Sequence, residues 1–186
     1  EQTWPAKRIK AQRFFLNGEG LGARKGRDTP KLTVSPQTLG LAGGEWCPYG
    51  TGGEGPEFPG DQRYDDGASL CFDSAPLKQT TEILDAAQVV LDLSVDKPTA
   101  FVCVRLNDVK PDGSVARAAY AVLNLTHRDG HDKVKQLVPG KRYKVKVRLS
   151  DTAYSFGKDH RLRVAVSTSY WPMIWPSPVM PMSYRG

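Results

Sequence analysis

Acyl transfer by a side-chain nucleophile needs a serine or cysteine on a strained turn, a histidine within reach and a carboxylate to orient it. The 186-residue sequence offers three histidines, His127, His131 and His160, and three cysteines, Cys47, Cys71 and Cys103, but no G-x-S-x-G elbow. Ser94-Val95-Asp96-Lys97 matches S-x-x-K. That motif acts from the start of a helix, whereas here it closes an alternating strand before Pro98. His127-x-x-x-His131, with Asp129 and Asp132 nearby, would suit metal ligation from one helix face. The intervening Arg128-Asp129-Gly130 predicts a solvated turn instead. Asp108 and Asp112-Gly113 look like the opening of a calcium loop that lacks its later carboxylates, so a hairpin turn is expected. The sequence thus predicts no catalytic residue, no metal site and no cofactor in this chain.

Three cysteines without a C-x-x-C pair predict neither a disulfide framework nor a thiolate zinc site. A reducing, cytoplasmic setting is expected, with Cys71 and Cys103 as small buried hydrophobes inside apolar runs. Asn124-Leu125-Thr126 has the form of a glycosylation sequon. Residues 1–16 lack the basic-then-apolar order of a secretory leader, so Asn124 and Thr126 are expected on the outer face of a strand, with Leu123 and Leu125 pointing the other way. No run of about 18 apolar residues is present to span a bilayer.

Twenty-six basic against 20 acidic residues give a net charge of +6. Such an excess can mark a nucleic-acid partner. Here Lys141, Arg142, Lys144, Lys146 and Arg148 are interleaved with Tyr143, Val145, Val147 and Leu149, the pattern of a strand with one wet face, and no nucleic-acid partner is expected.

The elements follow from the same alternation. Strands are predicted over residues 88–95, 100–109, 118–126, 141–149 and 161–169, with weaker candidates at 8–16, 30–34 and 69–73. Asp96-Lys97-Pro98, Pro111-Asp112-Gly113, Arg128-Asp129-Gly130 and Pro139-Gly140 separate them as turns. Eight short strands with turn signals and almost no helical periodicity predict an all-β sandwich or barrel, folded as one domain over 1–186.

Residues 35–67 break the pattern: Gly and Pro supply 13 of 33 positions, yet Leu39, Leu41, Trp46, Tyr49 and Phe58 are there too. Aromatic content of that kind predicts a loop pinned onto a surface rather than a linker. The apolar Trp/Pro tail at 170–184, above all Tyr170-Trp171-Pro172-Met173-Ile174-Trp175-Pro176-Ser177-Pro178, is rigid and unsuited to ladder pairing.

Taken in order, several stretches resemble the C-terminal domain of the CocE/NonD-type hydrolases, which include X-prolyl dipeptidyl-peptidases, cocaine esterase and α-amino-acid ester hydrolases. They are Trp4-Pro5; the strand ending Arg13-Phe14-Phe15-Leu16-Asn17; Asp61-Gln62-Arg63; residues 69–77; residues 89–96; and, most specifically, residues 101–113. Tyr143 to Leu149, Thr152 to Phe156, His160 to Val164 and Ser167 to Pro172 are similar to the closing strands. The resemblance covers nearly the whole chain. It implies a jelly-roll β-sandwich, often described as galactose-binding-like, packed against an α/β-hydrolase domain of the same parent polypeptide that carries Ser, Asp and His. None of those three has a matching position here, so the chain is expected to be an excised non-catalytic domain.

Two functions follow as expectations. One is docking on the hydrolase domain, through Trp46, Tyr49, Phe58, Trp171 and Trp175, to help shape its active site. The alternative is a carbohydrate-binding module using Trp46, Tyr49, Trp171 and Trp175. A homo-oligomer is compatible with either.

Overall fold

The computed structural model describes residues 9–18, 20–27, 29–45, 58–177 and 184–185. In chain order the strands are β1 (Phe15–Asn17), β2 (Gly20–Gly22), β3 (Leu32–Thr33), β4 (Leu70–Asp73), β5 (Thr81–Asp85), β6 (Gln88–Val95), β7 (Phe101–Val109), β8 (Val115–Asn124), β9 (Arg142–Arg148), β10 (Thr152–Phe156), β11 (Arg161–Ser167) and β12 (Tyr184–Arg185). A one-turn helix, α1 (Arg63–Asp66), lies between β3 and β4.

Two four-stranded sheets, ordered β4-β11-β7-β8 and β3-β12-β6-β9, are accompanied by the β1-β2 and β5-β10 pairs, and every pairing is antiparallel. Side chains on a strand alternate between faces, so each sheet has one set to bury. From the first sheet Val102, Val104 and Leu106 of β7 and Leu162, Val164 and Val166 of β11 point inward; from the second, Leu93 and Val95 of β6 meet them with Val145 and Val147 of β9. Ile83, Tyr154 and Phe156 of the β5-β10 pair extend the same core, and the result is a β-sandwich. As the alternation predicts, Lys144, Lys146 and Arg148 face water while Val145 and Val147 are buried.

Several expected boundaries shift. The strand expected at 8–16 is paired over Phe15–Asn17, because Arg8 lies outside the described residues and 9–14 make no ladder. The strand expected at 118–126 begins earlier, at Val115, and stops at Asn124. There the Asn124 side chain accepts hydrogen bonds from the Thr126 backbone N–H at 3.0 Å and hydroxyl at 2.8 Å, turning the chain into a 3-10 turn, Leu125–His127. Thr126 is therefore buried, not outward-facing, and Leu125 packs in the core from the turn. The Asp112-Gly113 hairpin is as expected: Asp112 accepts from the Ser114 backbone and hydroxyl, while Gly113 takes a φ of 85°. Among the described residues no helix is long and apolar enough to cross a membrane.

Candidate docking surface

The outer face of the β4-β11-β7-β8 sheet carries polar residues that period-two patterning assigns to solvent, yet on β7 Arg105 and Asn107 have no exposed surface, and Cys103 beside them is buried as its apolar run predicts. They are covered by the Gly/Pro-rich segment, which folds over the sheet and brings α1 with it. Arg105 donates to Gln62 Oε1 at 3.1 Å and to Ser69 Oγ at 2.7 Å, and pairs with Asp66 Oδ1 at 3.1 Å. Asp66 also accepts from Asn107 Nδ2 at 2.9 Å and from Arg163 Nη1 at 3.0 Å. Arg163 on β11 meets Asp73 on β4 through two bonds of 2.6 Å; those bonds, then Asp66, raise its pKa further above the ordinary guanidinium range. Ala165 pairs with Arg105 across the ladder, and its small side chain leaves room for the guanidinium to reach α1. A desolvated arginine requires such partners, since an unpaired buried charge is strongly unfavourable.

Next to this polar layer the loop and the tail are bound to each other. Ser35 and Thr168 exchange backbone-to-hydroxyl hydrogen bonds at 2.9 and 3.1 Å, and Ser169 Oγ donates to Pro36 O at 2.6 Å. The Trp171 N–H donates to Leu39 O at 2.6 Å. Gly40, with φ of 115°, lies directly against the Trp171 backbone, where any Cβ would collide, and its N–H donates to Asp65 Oδ1 at 2.9 Å. Leu39, Cys103, Tyr170 and Ile174 close into a second apolar cluster beneath them. Arg117 donates to the Tyr170 hydroxyl at 2.6 Å and stacks over Tyr120 at 4.2 Å.

The tail thus turns one face inward and another outward. Tyr170, Ile174 and Ser177 are buried, whereas Trp175 keeps 75% of its surface exposed and is tilted against half-buried Trp171 with ring centroids 5.8 Å apart. Beside them an open groove of about 280 Å³ is lined by Phe101, Val122, Asn124, Met173, Ile174, Trp175 and Pro176. Phe58, at the end of the loop, is exposed; Trp46 and Tyr49 lie outside the described residues. Sequence reasoning singled out the tryptophans but missed Gln62, Asp65, Asp66, Arg105 and Arg163. The available signal was Arg105, a charge in the middle of an apolar run.

The described cysteines and His160 are held in structural roles. Burial pushes the Cys103 thiol up to about 12; burial and then the Asp66 carboxylate push Cys71 up to about 11, so neither supplies a thiolate near neutral pH. Cys47 lies outside the described residues. His160 Nδ1 sits 2.8 Å from Oδ1 of buried Asp108, which also accepts from the Tyr154 hydroxyl at 3.1 Å. This dyad ties β10 and the start of β11 to the end of β7.

The model of the X-Pro dipeptidyl-peptidase C-terminal non-catalytic domain matches residues 1–185. Cocaine esterase of a Rhodococcus species is 24% identical over 186 residues, covering 92% of this chain and 32% of the esterase. Among solved structures, an α-amino acid ester hydrolase superposes with a TM-score of 0.74 at 20% identity, covering 94% of this chain and 33% of that one. An aminopeptidase from a marine sediment Thaumarchaeota archaeon gives a TM-score of 0.70 at 20% identity, with 92% and 33% covered. The chain spans between 20% and 35% of the length of the relatives it matches.

Proposed function

Since this chain belongs to the family of X-Pro dipeptidyl-peptidase C-terminal non-catalytic domains, we propose that it docks on the α/β-hydrolase domain of a serine hydrolase and helps to shape its active site. The observation that carries this reading is the two-sided tail. Its inward residues lock it onto the Gly/Pro loop, so exposed Trp175 and half-buried Trp171 stand on a backbone that is already ordered. Pre-ordered aromatic anchors lose little entropy on binding, and tryptophan is enriched among residues that dominate interface energetics. The threefold length of the relatives is consistent with a partner domain in the same polypeptide. An ester- or peptide-cleaving parent fits the names of those relatives, and the chemistry would reside in that other domain.

The carbohydrate reading draws on the same exposed indole but finds less support. Sugar recognition needs side-chain hydrogen-bonding groups beside the ring. Of the residues lining the groove Asn124 alone is polar, and its Oδ1 already accepts twice from Thr126. The test pairs Trp175→Ala in this chain with the same change in the polypeptide containing the hydrolase domain. Docking predicts an unchanged melting temperature in the first and reduced stability or ester turnover in the second. An effect confined to the isolated chain would make the tail internal packing, and retention on a sugar column lost with Trp175 would favour the alternative.

A further inference from the structure

The turn following β8 holds two imidazoles in a fixed relation that docking does not use. His127 Nδ1 and His131 Nδ1 stand 3.2 Å apart, with ring planes tilted by 55°. Two nitrogens bound to one tetrahedral zinc at about 2.0–2.1 Å are separated by roughly 3.3 Å. The turn is held in place from several sides. Leu125 and Leu137 are buried in the sandwich, the Leu125 N–H donates to Ala100 O at 2.9 Å and the Leu137 N–H to Pro98 O at 2.8 Å. Between these anchors the Lys135 N–H donates to Thr126 O at 2.9 Å, and Arg128 Nη1 bridges Leu125 O and Lys135 O at 3.0 and 2.8 Å. His131 is exposed and His127 half-buried, so the pair is open to solutes.

We infer that His127 and His131 form an open, two-histidine site for a borderline divalent metal ion of the zinc class, with water filling the remaining positions. Among the described residues no group of three or more His, Cys, Asp or Glu side chains could hold a metal. The site is therefore open and of modest affinity, unlike a closed structural zinc site. Binding requires both Nδ1 lone pairs, so each ring carries its proton on Nε2 in the bound form.

The experiment titrates zinc chloride into the tag-free, EDTA-washed chain near neutral pH, by calorimetry and by nitrogen NMR of the imidazoles. One zinc per chain is expected, with the Nδ1 resonances of His127 and His131 shifting together and those of His160 unmoved. His131→Ala and His127→Gln should each weaken binding at least about tenfold while leaving the melting temperature of the metal-free chain close to wild type. If zinc fails to bind, if it shifts His160 instead, or if both variants retain wild-type affinity, the 3.2 Å contact is a ring-to-ring hydrogen bond and the proposal is overturned.

Discussion

Replacing Asp66 by Ala removes the one carboxylate that Arg105, Asn107 and Arg163 share. Arg163 keeps its two 2.6 Å bonds to Asp73, and Asn107 is uncharged, so the cost concentrates on Arg105. Its side chain has no exposed surface, and without Asp66 it retains only the neutral acceptors Gln62 Oε1 and Ser69 Oγ. Stranding one member of a buried ion pair costs about 3–5 kcal/mol. At roughly 2–4 °C per kcal/mol for a chain of this size, the melting temperature should drop by on the order of 10 °C. Exposed Arg142, paired with Asp92 at 3.1 Å, is the control, and Arg142→Ala should change stability by less than about 0.5 kcal/mol. Combining Asp66→Leu with Arg105→Met removes both charges together. The double variant should be less destabilised than the sum of the singles, with a coupling of about 2 kcal/mol or more. Urea melts of wild type, the two singles Asp66→Leu and Arg105→Met, and the double measure this coupling, and melts of Asp66→Ala and Arg142→Ala measure the stranded charge against its control. If Asp66→Ala melts like Arg142→Ala, or if the two changes simply add, the buried charge does not hold the loop to the sheet.

Gly40→Ala places a Cβ against the Trp171 backbone at a φ of 115°, and should cost about 2 kcal/mol or more, with a shift in tryptophan emission as the tail lifts; unchanged emission and melting would show that the loop and tail give way easily. Val147→Asp puts a carboxylate where 2% of the valine is exposed and should cost about 3 kcal/mol or more in a thermal melt, whereas Lys146→Asp one position away should be tolerated. Burial pushes the Tyr170 hydroxyl up to about 12, so its neutral form is favoured by the fold. The unfolded chain loses that proton first, and the stability from this group, whole below the ordinary tyrosine pKa near 10, declines by about 3 kcal/mol at most as pH rises from there toward and past 12. Tyr170→Phe should flatten that limb of a stability-against-pH curve, and an unaltered curve would place the dependence on another group.

The inward half of the sandwich could be read directly from residue order. Val145 and Val147 lie between lysines and arginines, and Val102, Val104 and Leu106 recur at period two, so local alternation decides which face is buried. The outward half could not, because the burial of Arg105 and Asn107 depends on a loop some 40 residues earlier arriving over them. Period-two patterning contains no information about that arrival. α1 is a single turn, too short for helical periodicity, and β5 and β12 gain their pairing from strands distant in sequence. For the candidate surface, the exposed indole of Trp175 was expected from the tail's composition. The inward turn of Tyr170 and Ile174 was not, since Trp-Pro-Met-Ile-Trp-Pro carries no signal of which side faces the sheet.

The interlock between Ser35 and Thr168 bears on the order in which the protein can be made. These residues are separated by 133 positions, and together they fasten the loop that lies over Arg105. During translation β7 and β8 emerge and can pair well before Arg163, Thr168 and Trp171 leave the ribosome. Until then the Gly/Pro segment has nothing to clasp, and the outer face of the nascent sheet stays wet. The short β3 strand waits longer still, because it joins its sheet only through β12. Contacts of such wide sequence separation slow folding and leave intermediates with exposed strand surface. Polypeptides truncated before residue 163 should therefore accumulate as chaperone clients, and emergence of the segment from Arg163 to Trp171 is the event that lets the loop close over Arg105.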